Sequence, residues 1–140
     1  MQTMNPFNCL TSDLLLGKHI VGTSVFKLML TDVAPVATNT IAANITEIAA
    51  GNGYSAGGVV TTLTKTSSGS TTKLFASNET VTATGAIGPF RYVVLVNTTF
   101  SGNPLVGWVD TTVETTMADL DTFEVEFDQT NGVFQLSIND

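Results

Sequence analysis

The sequence predicts an all-β fold, a two-layer β-sandwich with jelly-roll-like character and at most one or two short helices. Apolar and polar residues alternate in about eight short segments, which is the pattern of half-buried strands. Threonine, which favours strands over helices, is frequent throughout the chain. The 140 residues are enough to bury the core of one domain.

Residues 1–23 are predicted to be an N-terminal arm or a short helix, and residues 24–140 to be a single β-sandwich domain. Phe7, Leu10 and Leu14 share one helical stripe. A glycine and two β-branched residues follow them and favour an extended chain. Both interpretations of the segment therefore stay open.

The middle of the chain contains several predicted elements. Residues 24–30 alternate as a strand, and residues 57–77 are typical of a hairpin with a Ser/Gly turn. In residues 38–50, isoleucines recur at spacings of four and three, which predicts one short helix. Residues 51–58 are predicted to be a loop, and residues 79–85 a further strand.

The segment from residue 88 to residue 110 is predicted to be the central hairpin of the fold. Two apolar strands flank a loop of Thr, Ser, Gly and Asn, and neither face of the pair is polar. Such a pair fits the middle of a sheet that is covered on both sides. On the first strand, the prediction puts Phe90, Tyr92, Val94 and Val96 on one face and Val93 and Leu95 on the other. On the return strand, it puts Leu105 and Val109 on one face and Val106 and Trp108 on the other.

The C-terminal residues 122–138 are predicted to form a second hairpin around the turn at Asn131 and Gly132. Its predicted inward side chains are Phe123, Val125, Phe127, Phe134, Leu136 and Ile138. Glu124, Glu126 and Asp128 alternate with them and are expected on the outer face. This acidic row is interpreted as a solvated face, a contact for a basic partner, or an ion site.

The charge pattern argues against nucleic-acid binding. The chain has 12 acidic and 5 basic residues and a net charge of −7, so it lacks the cations that neutralise phosphates. Eight of the 12 acidic residues lie from Asp110 onward. No apolar run approaches the ~20 residues of a membrane helix, and no membrane partner is expected.

The residues needed for common active sites are scarce. Cys9 is the only cysteine and His19 the only histidine, so neither a disulfide nor a zinc site with several such ligands is expected. No nucleophile motif of hydrolases is present. We therefore expect no enzyme activity and no cofactor. Because Asp13, Lys18 and His19 flank the first apolar run, no signal peptide is expected, and folding in a cytoplasm is predicted.

Aromatic residues are the remaining candidates for contact with a partner. Phe100 lies in the loop of the central hairpin, where an exposed ring can anchor an interface, or it folds back into the core. Trp108 and Tyr54 could join it as a stacking platform of a carbohydrate-binding module. Phe7 of the arm is added to the candidate interface.

Five blocks of the sequence together resemble a family of small structural proteins of tailed bacteriophages. The similarity extends from Phe7 to Ile138, but residues 61–84 match no block of the family. The blocks are FKLMLTDVAPVATNT, ITEIAAGNGYSAGG, GPFRYVVLVN, PLVGWVD and FEVEFDQTNGVFQLSI.

The resemblance implies a decoration, or cement, protein that binds the outer surface of the capsid in the virion after assembly in the host cytoplasm. The implied partners are the major capsid protein and further copies of the chain, expected as a homotrimer. The alternative is a component of the tail, the head–tail connection or the fibre base. The candidate contact residues are Phe7, Tyr54, Phe100, Glu124, Glu126 and Asp128.

Overall fold

A computed structural model describes residues 4–138, and it confirms the predicted all-β class. One short α-helix, α1, and one 3-10 turn accompany ten strands in this part of the chain. The helix is Leu10–Leu15 and the turn is Ala42–Asn44. The strands are β1 Met4–Pro6, β2 Phe26–Thr31, β3 Val59–Thr61, β4 Leu63–Ser68, β5 Thr71–Ala76, β6 Glu79–Thr82, β7 Ile87–Asn97, β8 Leu105–Met117, β9 Thr122–Val125 and β10 Phe134–Ser137.

The strands form three antiparallel sheets. The main sheet has the order β1-β8-β7-β2-β3, a second sheet has the order β10-β5-β4, and β6 pairs with β9. The predicted hairpin of β7 and β8 is present, with β1 and β2 on its two sides. The order of the strands therefore confirms that this pair is central.

Two hydrophobic cores cover the two faces of the main sheet. The larger core contains side chains from all three sheets, so the second sheet and the β6–β9 pair form the opposite layer of the sandwich. The smaller core lies on the other face, where residues near Phe7 and the loop after β2 cover it. The predicted burial of the central strands on both faces is confirmed.

The predicted faces of the central hairpin are partly wrong because its register shifts. Phe90 lies in the larger core and Val94 in the smaller one, although they were predicted to share a face. Phe90 pairs with Thr115, whereas Tyr92 pairs with Asp110. β8 has three more residues than β7 between these two pairs, so the ladder is irregular at the place where the facing of β7 changes.

A second irregularity in β8 changes which side chains of the return strand share a face. Val106 and Val109 both lie in the larger core, whereas Leu105 lies in the smaller core with Trp108 packed against it. One additional residue of β8 stands between two successive pairs with β7 at this point. Such a bulge moves the following side chains to the opposite face.

The strand that begins the predicted hairpin of residues 57–77 is divided between two sheets. β3 pairs with β2 in the main sheet, and β4 pairs with β5 in the second sheet. At the corner, the N–H of Thr62 donates to the Ser77 hydroxyl at 2.9 Å, and the hydroxyl of Thr61 donates to the Ser77 carbonyl at 3.0 Å. These bonds hold the bend between the layers.

The helix predicted over residues 38–50 is wrong except for the single 3-10 turn. Ile41 forms a β-bridge with Pro104, and the N–H of Ile48 donates to the Leu30 carbonyl at 3.0 Å. The segment uses its backbone groups on neighbouring strands. Because isoleucine and threonine are weak helix formers, these bonds outweigh the helical spacing.

The predicted C-terminal hairpin is also wrong, although both of its strands exist. β9 pairs with β6, and β10 pairs with β5 in the other small sheet. The turn between them is present, because the Asp128 carboxylate accepts the N–H groups of Thr130 and Asn131 at 2.8 Å each. This turn directs the chain from one small sheet to the other.

The N-terminal segment combines both interpretations of the sequence. β1 adds to the edge of β8, and the N–H of Phe7 donates to the Val106 carbonyl at 3.2 Å before α1 begins. Residues 1–3, and residues 139 and 140 of the predicted domain, lie outside the described residues.

Replacing Leu95 by Ala tests the central position of β7. Leu95 is fully buried in the larger core, so the free energy of unfolding should fall by about 2–5 kcal/mol in chemical denaturation. Leu15→Ala, at a leucine that is 90% exposed, is the control and should change it by less than about 0.5 kcal/mol. Equal losses would contradict the assignment of the core.

Candidate functional site

The structure separates the six candidate contact residues instead of collecting them in one site. Phe7 is 1% exposed, and its ring centroid lies 4.7 Å from that of Trp108 in the smaller core. Tyr54 is 2% exposed and lies in the larger core. In the isolated chain, neither side chain is presented to a partner.

Tyr54 holds the loop that precedes β3. Its hydroxyl donates to Oε1 of Glu47 at 2.6 Å and accepts the N–H of Leu30 at 3.0 Å. The same Glu47 oxygen accepts the N–H of Gly57 at 2.8 Å. Burial, followed by the hydrogen bond to Glu47, raises the pKa of Tyr54 above its ordinary value.

The three residues of the predicted acidic row have different surroundings. Glu124 and Glu126 are exposed, at β9 and just beyond its end. Asp128 is half-buried, and the N–H groups of its own turn lower the pKa of its carboxyl. Between residues 4 and 138, no three side chains of the His, Cys, Asp and Glu types are placed to hold a metal ion.

Phe100 remains partly exposed at the tip of the central hairpin. It is 40% exposed, and the Lys18 ammonium lies 5.6 Å from its ring centroid. Leu16 and Ile20, on either side of Lys18, are 67% and 51% exposed. We call these four residues the Phe100 surface.

Buried Asn97 positions the Phe100 loop against the N-terminal segment. Its Oδ1 accepts the N–H groups of Thr99 at 3.0 Å and Phe100 at 3.3 Å. Its Nδ2 donates to the Lys18 carbonyl at 2.8 Å and to Nδ1 of His19 at 3.1 Å. One side chain thus orders both parts of the Phe100 surface.

The same bonds assign the protons of His19. Because two backbone N–H groups fix Oδ1 of Asn97, its Nδ2 is the donor and Nδ1 of His19 is the acceptor. Neutral His19 therefore carries its proton on Nε2, which is buried and has no hydrogen-bond partner within residues 4–138. Desolvation lowers the pKa of His19 below its ordinary 6.5.

His19 also lines a cleft that the sequence does not reveal. The cleft has a volume of about 330 Å³ and lies between the main sheet, α1 and the inner face of the β10-β5-β4 sheet. Leu136 faces it, as the predicted inward position requires, yet this side chain is 54% exposed. We call this space the interlayer cleft.

The aromatic residues do not form the stacking platform of the carbohydrate-binding alternative. Tyr54 and Trp108 belong to different cores on opposite faces of the main sheet. Only Phe100 is substantially exposed among the three.

The chain matches no family model, no curated protein and no solved structure. In the described part of the chain, no helix has the length and apolar character to span a membrane.

Replacing Tyr54 by Phe should lower the free energy of unfolding by about 1–3 kcal/mol, because the Leu30 N–H and Glu47 lose a buried partner. Chemical denaturation measures this loss. Tyr92→Phe, at a half-buried tyrosine of β7, is the control. A Tyr54→Phe protein as stable as this control would rule out a structural role of the hydroxyl.

The lowered pKa of His19 predicts a specific pH dependence. As the pH falls below 6.5, the unfolded chain protonates His19 first, so the free energy of unfolding falls until the folded pKa is passed. His19→Asn keeps an acceptor for Asn97 but lacks this titration. Between neutral pH and about pH 5, the variant should therefore lose less stability than the wild type. Parallel curves for the two proteins would contradict the assignment.

Proposed function

We propose that this chain is a structural protein of a tailed-bacteriophage virion, which binds and stabilises the outer surface of the capsid. The sequence blocks that resemble this class of protein support the proposal. The observation that carries it is the Phe100 surface, where the partly exposed Phe100 ring lies beside the Lys18 ammonium, and where Leu16 and Ile20, two residues from Lys18 in the chain, are also exposed. Exposed aromatic and aliphatic side chains are typical of surfaces that contact another protein.

The architecture suits a protein whose contacts must be rigid. Phe100 extends from the central hairpin, and Asn97 fixes its loop through two backbone N–H groups. An aromatic side chain that is already positioned loses little conformational entropy on binding. Rigid aromatic anchors supply much of the energy of protein interfaces.

The proposed partners are the major capsid protein and further copies of this chain, in a homotrimer at symmetric positions. The exposed carboxylates of Glu124 and Glu126, together with the net charge of −7, favour a basic capsid surface. Copies that bind only the assembled shell stabilise it by mass action. The proposed location is therefore the capsid surface of the virion.

Particles assembled without this chain should release their DNA at a lower temperature than complete particles. Adding the purified wild-type protein should restore the release temperature, because its binding stabilises the closed shell. An unchanged release temperature would contradict a cement role. The copy number per particle tests the location, since hundreds indicate the capsid lattice and six to a few dozen indicate the tail.

Phe100→Ser tests the proposed contact in the same particles. Loss of a central aromatic anchor should weaken binding at least about tenfold, as measured by the protein concentration that half-saturates the particles. Val113→Ser, at a valine that is 65% exposed on β8, is the matched control and should bind as the wild type does. Equal affinity of the two variants would exclude the Phe100 surface as the capsid contact.

A further inference from the structure

The interlayer cleft exists because the two layers of the sandwich do not close at one end. On the inner face of the second sheet, Lys65 of β4 and Phe134 of β10 lie on either side of Leu74 of β5. All three line the cleft, with Phe26 and Val106 of the main sheet as the opposite wall. These side chains thus border a space where a sandwich normally has packed core.

The cleft differs in charge from the rest of the molecule. The chain has 12 acidic and 5 basic residues, yet none of the described residues that line the cleft is acidic. Lys65 and His19 are the basic residues of its lining. Lys65 is exposed while it lines the cleft, so its ammonium lies at the mouth and its aliphatic stem extends along the wall.

His19 also lines the cleft, but its ring N–H does not face it. Because its Nδ1 accepts from Asn97, neutral His19 has an N–H at Nε2, and this buried atom has no partner within the described residues. This atom is closed off from the cleft, whose lining is almost entirely apolar. Lys65 is therefore the group that favours an anion over a cation, and it does so at the mouth of the cleft.

The size of the cleft restricts the occupant further. Its volume of about 330 Å³ is at the lower end of the ~300–1,000 Å³ that is typical of small-molecule sites. Its walls are aliphatic and aromatic except for a few polar side chains. The exposed Leu136 would be covered by an apolar chain that enters between the layers.

We propose that the interlayer cleft binds a single-chain apolar carboxylate of the medium-chain fatty-acid class. The apolar chain lies between the two sheets against Leu74, Phe134 and Val106. The carboxylate pairs with the Lys65 ammonium at the mouth of the cleft. This binding does not depend on the capsid role, and it uses a different part of the molecule from the Phe100 surface.

Calorimetric titration of the full chain with decanoate, decanol and decylammonium below their micelle concentrations tests the proposal. Decanoate should bind with one site per chain, decanol should bind more weakly, and decylammonium should bind weakest because it meets Lys65. Absent decanoate binding, or decylammonium binding as tight as that of decanoate, would overturn the proposal.

Two lysine variants locate the carboxylate. Lys65→Met keeps the apolar stem but removes the charge, and it should weaken decanoate binding roughly three- to tenfold. Lys73→Met, on the neighbouring strand β5 and outside the cleft lining, makes the same change of net charge and should leave affinity unchanged. Equal effects of the two variants would show a general charge effect and overturn the assignment.

A third variant tests whether the apolar chain occupies the cleft. Leu136→Trp places a large side chain at the mouth, where the native leucine is exposed, so folding should be retained as judged by thermal unfolding. Decanoate binding should be lost in Leu136→Trp and retained in Phe100→Ser. Retained binding in Leu136→Trp would show that the apolar chain lies outside the cleft and would overturn the proposal. A wild-type dimer that dissociates in this variant would show that the cleft is a contact between copies of the chain, and it would overturn the proposal as well.

Discussion

The burial of the β7–β8 hairpin on both faces is the constraint on which the architecture depends. A strand pair without a polar face requires apolar cover on each side. On one side the second sheet and the β6–β9 pair supply it, and on the other side the residues near Phe7 and the loop after β2 do so. The irregular loop is therefore part of the core structure, although it contains only one 3-10 turn.

Asn97 connects this central hairpin to the surfaces that we assign to function. It is a fully buried polar residue at the end of β7, and its amide oxygen and its amide nitrogen each make two hydrogen bonds. These bonds place the Phe100 loop beside the residues that follow α1, and they determine which nitrogen of His19 carries the proton. The Phe100 surface and the interlayer cleft consequently share one buried support.

Period-two alternation in the sequence was sufficient to predict the all-β class, the central hairpin and most strands. It did not predict which strands pair, because β9 and β10 have equally regular patterns whether they pair with each other or with distant strands. The candidate site was less predictable. Burial of Tyr54 depends on hydrogen bonds to Glu47 and Leu30, and the cleft arises from the distance between two layers. Neither feature has a local pattern in the chain.

The division between β3 and β4 has a mechanical consequence. Thr62 is the only residue between a strand held in the main sheet and a strand held in the second sheet. Leu63 and Ala76, which follow this corner and face it in the second sheet, are buried in the larger core, so their packing and the hydrogen bonds with Ser77 hold the corner together. We expect this joint to be rigid, so that a disturbance at the corner is transmitted to both layers instead of being absorbed there.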